Sequence, residues 1–228
     1  MKGLQLAQAD AERGALDQER LTKIRDAVNE FASDLSDQED RPPAKSNSTT
    51  DAEASSAVES VAENATNETL PILSKESLPP GWQGEHPVLC VAGRSRIDEA
   101  AAIMLAQLST THGLAARVEG AEALSTTNVF RLDTTGVAIV CLVYLDANGP
   151  AHMRYSVRRL RRKLPKATII LGCWVKEIDP AALELLREGA KADLVAASLG
   201  EAVKLCIEAT GVKDQEASKQ EMSATVAA

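Results

Sequence analysis

From residue 87 onward the hydrophobic spacing alternates between continuous runs and helical stripes, and the alternation predicts strands followed by helices. Val88 to Val91 is an unbroken apolar run between Pro87 and Gly93, the mark of a strand buried on both faces. Ile97, Ala100, Ala101, Met104, Leu105 and Leu108 then recur three and four residues apart and form one helical stripe. Ser95 with Asp98 reads as a capping-box variant, and Gly113 suits the position just past the helix end. Ala116 to Glu119 is a short second strand, and Ala121 to about Phe130 a weak helix or turn. Gly136 to Leu145 is the most apolar strand and belongs at the sheet centre. Met153, Val157, Leu160 and Leu164 mark the next helix, and Thr168 to Val175 the fourth strand. Asp179 as cap and Pro180 in the first turn start a helix that Gly189 closes. Ala192 to Ala197 is the fifth strand, and Ser198 with Glu201 is a second capping box, opening the last helix.

Five strands alternating with helices predict an α/β domain with a doubly wound parallel sheet in the flavodoxin-like order 2-1-3-4-5. Ahead of it, Leu21, Ile24, Val28, Phe31 and Leu35 form a stripe one residue wide on a helix capped by Asp17. So thin a stripe needs a partner helix, another copy of the chain or the later domain to lie against. Leu4, Leu6 and Ala7 belong to a preceding helix that Gly14 interrupts. Between these parts the composition turns to Pro, Ser, Thr, Asn, Ala and Glu, too polar to offset its ordering entropy, so a disordered linker is expected. Its Asn-x-Ser/Thr triplets at Asn47, Asn64 and Asn67 are explained by chance in a Ser/Thr-rich tract, and Trp82 is expected to pack on the edge of the domain. The resulting division is a helical segment at 1–40, a linker at 41–85, the α/β domain at 86–211 and a flexible tail at 212–228.

Length and charge narrow the function. The 228 residues fit one domain with appendages. A net charge of -8 disfavours nucleic-acid binding, because no overall positive field attracts phosphates. Cys90, Cys141, Cys173 and Cys206 are far apart and mostly within apolar segments, so they read as reduced core thiols. No apolar run is long enough to span a bilayer and no signal peptide opens the chain, which implies a soluble cytoplasmic protein.

In such folds ligands bind outside the carboxyl ends of the strands. The residues expected there are Gly93, Arg94, Ser95 and Arg96 from one loop and Asp146, Asn148 and Gly149 from another, with Cys173 and Trp174 nearby. Two arginines near a helix N-terminus suit a phosphate or carboxylate; ordinary turn and cap duty is the alternative. The run Arg154, Arg158, Arg159, Arg161, Arg162, Lys163 and Lys166 reads as a mostly solvated helix face, or as a docking face for anionic lipid or an acidic partner, Arg154, Arg158, Arg161 and Arg162 being the candidates. His86, His112 and His152 sit at element ends, Ser95 has no histidine at a recognisable spacing, and the cysteines lack an activating partner. The expectation is a protein that is not an enzyme and needs no metal or cofactor.

Relatives of this layout sharpen the reading. Cobalamin-binding domains place a cobalt-ligating His in an Asp-x-His-x-x-Gly loop after the first strand; here Ser95 takes the His position and Asp98 the Gly position. Phosphoreceiver domains resemble this chain at Asp146, but their acidic pair and their Lys are missing, Ala197-Ser198 standing after the fifth strand. A nucleotide-binding phosphate loop is absent as well. Gly3 to Asp40, and Pro87 to about Trp174 with its PVLCVAGRSRIDEAAAIMLAQL, GVAIVCLVYLD and RRLRRKLP runs, do resemble one family. They are similar to the cytosolic C-terminal extension of bacterial autoinducer-2 exporter (PerM-like) permeases. Members of this type carry membrane helices upstream. This chain has none, so it is expected to be a soluble fragment, a gene remnant starting at Met1, or a domain working as a separate polypeptide. The resemblance implies a cytosolic regulatory or interaction module at the inner face of the membrane, with a membrane permease or another copy of itself as partner. A small anionic ligand or nucleotide sensor using the Arg94 and Asp146 loops is the competing expectation.

Overall fold

The computed structural model describes residues 1–36, 70–175 and 178–212. The tracts at 37–69, which hold the three Asn-x-Ser/Thr triplets and most of the expected linker, and at 213–228 lie outside the described residues. Five parallel strands, β1 (Val88–Ala92), β2 (Ala116–Glu119), β3 (Ile139–Tyr144), β4 (Thr168–Cys173) and β5 (Leu194–Ala196), stand in the order β2-β1-β3-β4-β5, as the alternation predicts. β1 and β3 are buried along their whole length, which explains why they read as unbroken apolar runs.

Helices α3 (Arg96–Thr111) and α6 (Leu199–Ala209) cover one face, meeting Val88, Cys90, Ile139, Cys141 and Val143. On the other face α4 (Pro150–Lys163) and α5 (Pro180–Ala190) cover Leu89, Val91, Val140, Leu142 and Tyr144. Helices α1 (Lys2–Glu12) and α2 (Gln18–Ser36) form a hairpin that lies on α3, with Leu4 and Leu21 reaching the same core. Of the three partners open to the thin stripe, the following domain is the one it meets. The stripe itself drifts. After Val28 the contact side continues through Ala32 and Ser36, whose hydroxyl reaches Gln107 Oε1 at 2.8 Å, leaving Phe31 and Leu35 exposed.

Residues 70–85, read above as the end of the linker, lie against the domain. Leu73 and Leu78 are buried in the core, Trp82 packs beside it, and Leu73 N donates to His112 O at 3.0 Å. Gly113, in the left-handed region at φ 82°, is required there, since a Cβ would come within 1.9 Å of Leu73 O.

Two of the expected helix signals are corrected. Gly189 does not close α5, because the helix runs on to bury Ala190 against the sheet and it is Lys191 that takes the left-handed conformation. Asp179 does take the N-cap position of α5, with Pro180 after it, but its carboxylate makes no capping bond. The Ser198 hydroxyl does accept from Glu201 N at 3.2 Å, while Glu201 reaches back to Ala197 N at 2.7 Å, one residue earlier than the capping-box pattern implies.

Candidate functional site

The turn after β1 is organised by Asp98. Ser95 accepts from Asp98 N at 3.0 Å, and the fully buried Asp98 carboxylate accepts from Arg94 N at 2.9 Å and Ser95 N at 3.0 Å. Its other oxygen accepts from Leu145 N at 2.9 Å, so one side chain completes the capping box and ties the turn to the end of β3. Burial raises the pKa of this carboxyl above its ordinary value, and the three N–H donors oppose that by favouring the charged form. The capping box is legible in sequence; the tie to Leu145 is not, because it spans elements 47 residues apart.

Arg94 leaves this turn and places Nη2 at 2.7 Å from both oxygens of the buried Asp146 carboxylate. Asp146 Oδ1 also accepts from Asn148 N at 2.7 Å, shaping the loop between β3 and α4. Gly93, Arg94, Asp146 and Asn148 are thus brought together at the strand tips. Ser95 stands beside them with its oxygen already engaged as a cap, and Arg96 stands apart, paired with Glu99 at 3.0 Å on the exposed side of α3. Cys173 is buried, donating to Asp146 O at 3.5 Å, and burial pushes its thiol up to about 12.

Helix α1 lies across these tips. Gln5 Nε2 donates to Trp174 O at 2.9 Å, Gln8 Nε2 to Asp146 Oδ2 at 3.3 Å, and Asn148 Nδ2 to Glu12 Oε1 at 3.2 Å. A groove of about 750 Å³ remains between α1 and the Leu145–Asn148 loop. Gln5, Gln8 and Glu12 follow one side of a short polar helix, and no feature of that pattern announces a contact with residues more than a hundred positions away.

On the opposite, α4 side of the tips lies a polar group that the strand patterns conceal. The Tyr144 hydroxyl, at the end of β3, donates to Ser156 Oγ at 3.4 Å and lies 3.0 Å from His152 Nδ1. Burial pushes the Tyr144 hydroxyl up to about 12, so it stays protonated. Burial and then the Arg94 charge hold His152 below the ordinary histidine value. Gly93 is a glycine because of this ring: a Cβ there would stand 2.4 Å from Tyr144 Cδ1 and 2.8 Å from Val143 O. A tyrosine closing an otherwise aliphatic strand is the one sequence signal for this group.

The basic run on α4 is used more within the protein than its outward reading implies. Arg154 donates to Gly189 O at 2.6 Å, Arg161 pairs with Asp193 and reaches Ala167 O, and Lys163 donates to Phe130 O at 3.3 Å. Arg158 and Arg162, one turn apart, are exposed and have no side-chain partner among the described residues.

Comparison with family models and with curated proteins finds no match. Among solved structures the chain is similar to a cobalamin-binding protein from Desulfitobacterium hafniense DCB-2, with 14% identity and a TM-score of 0.44, over 55% of this chain and 59% of that one. The chain therefore spans less than two thirds of that protein's length. Ser95, which takes the histidine position in the motif register given above, has its oxygen engaged as the cap of α3. No described helix is long and apolar enough to cross a membrane.

Proposed function

We propose that this chain is a non-catalytic regulatory or interaction module, related to the cytosolic C-terminal domain of PerM-like permeases, which docks through its N-terminal hairpin. The seat of α1 carries the reading. Strand tips are where a doubly wound domain ordinarily admits a ligand, and here the chain's own helix crosses their Leu145–Asn148 side, where Arg94 Nη2 is bound to Asp146. Among the residues the hairpin presents outward is an apolar pair: Phe31 and Leu35, one turn apart on α2, are 62% and 42% exposed. A large apolar pair left in solvent on an otherwise charged helix suits a partner surface. The partner is a membrane permease or a second copy of this chain, and exposed Arg158 and Arg162 suit the anionic lipid beside such a permease.

Vesicle flotation tests this. The chain is mixed with vesicles carrying the membrane part of a PerM-like permease, and with protein-free vesicles of the same lipids. Flotation with the permease vesicles alone, lost in a Phe31→Ser/Leu35→Ser variant, is the expected result. A chain that remains unbound to permease vesicles and monomeric in sedimentation overturns the reading.

A further inference from the structure

On the α4 side of the tips, away from α1, a second cavity of about 380 Å³ opens beside the end of β1. His152 and Ser156 line it, backed by Tyr144; Arg94 and Arg159 flank it, and Ser125 and Thr126 stand on the turn opposite. We propose that this cavity binds a small phosphorylated metabolite, with the phosphate held by Arg94, Arg159 and the His152–Ser156 wall. The inference stands apart from the docking role.

Three observations carry it. The first is the pair of guanidiniums. Arg159 is held in place by Leu124 O, by Thr126 Oγ1 at 2.9 Å and by the Tyr155 ring 4.1 Å below it, so little conformational freedom remains to be lost on binding. Arg94 commits Nη2 to Asp146, while its Nη1 and Nε have no acceptor among the described residues. The second is Ser156. Thr22, Ser33, Ser36, Ser109, Thr110 and Thr111 each donate to the carbonyl four residues back, whereas Ser156, only 1% exposed, has no such bond and receives the Tyr144 proton instead. Its own proton is unspent, in a wall of the cavity. The third is His152. Its Nδ1 lies 3.0 Å from the Tyr144 oxygen, and its Nε2 has no partner among the described residues.

Several donors converging from three elements match a tetrahedral anion, which presents acceptors in more directions than a carboxylate. Glu122 is the one acidic side chain in the lining; Asp98 and Asp146 lie behind Arg94 and are already hydrogen-bonded. The volume exceeds that of a bare phosphate, and the Tyr155 ring at the wall gives the attached group a surface to pack on. A dianion here opposes the Arg94 charge that disfavours imidazolium, so binding is coupled to proton uptake at His152.

Calorimetry on the full chain with inorganic phosphate and with ribose 5-phosphate, against ribose, citrate and matched chloride, tests the proposal. Saturable binding of a phosphate probe with a Kd of about 1 mM or below is expected, with none for ribose and weaker binding of citrate. Arg159→Gln and, separately, Ser156→Ala should each weaken binding between about tenfold and a hundredfold. Since Arg159 also holds the turn at Leu124, NMR titration of the unmodified protein gives a readout without mutation: the His152 pKa should rise at saturating phosphate. Absence of saturable phosphate binding, an unmoved His152 titration, or tighter binding of citrate than of phosphate overturns the proposal.

Discussion

The two sides of the strand tips use similar chemistry to opposite ends. Toward α1, the carboxylates of Asp98 and Asp146 are consumed by four backbone N–H groups, those of Arg94, Ser95, Leu145 and Asn148, and by the side chains of Arg94 and Gln8. Toward α4, the Tyr144–His152–Ser156 group keeps a hydroxyl proton and an imidazole nitrogen unspent beside an open cavity. Polar groups whose partners are built into the chain lock a geometry, and those left without partners are available to something outside it.

The largest effect on this contrast is expected at Asp98. An asparagine keeps the shape but presents an N–H₂ toward backbone N–H donors that now find an acceptor, so Asp98→Asn should cost about 2–4 kcal/mol in urea unfolding. Next is Gly93→Ala, which forces a Cβ into the Tyr144 ring and the Val143 carbonyl; about 2–3 kcal/mol is expected, together with a shifted His152 NMR signal, because the ring must move. Gln8→Glu sets a carboxylate against Asp146 Oδ2 and should loosen α1 without unfolding the domain. Amide exchange in α1 is expected to quicken about tenfold, while exchange in β1 and β3 stays unchanged.

The smallest effect belongs to His152. Its pKa is lowered on folding below 6.5, so the unfolded chain takes up a proton first as pH falls. The contribution to stability is therefore full above pH 6.5 and is lost as pH drops through the window below it. Burial sets most of this slope, followed by the charges of Arg94, Asp98 and Asp146, with the Tyr144 hydroxyl also facing the ring. Thermal melts from pH 7 to pH 5 should show a shallower decline for His152→Gln, and an identical slope for both proteins would remove His152 from the account.

Much of this is legible in the sequence. Strand order, the burial of β1 and β3, the Ser95–Asp98 cap and the convergence of Gly93, Arg94, Asp146 and Asn148 all follow from spacing and the crossover rule, since both act over a few residues or one βαβ unit. Loop membership does not reveal that Arg96 pairs with Glu99, three residues on, and not with the groups at the strand tips. The basic run on α4 overstated the free charge for the same reason: Asp193, Gly189 and Phe130 meet it only once α5 and the neighbouring turns are packed.

Which segments become strand and helix, and in what order they join the sheet, follows from the residue pattern alone, because periodicity and capping are local and the handedness of crossovers is general. Which polar groups are consumed and which remain available is set by packing. That depends on partners such as Gln8 and Asp146, or Asp98 and Leu145, which lie far apart along the chain and meet only when helices pack across the strand tips.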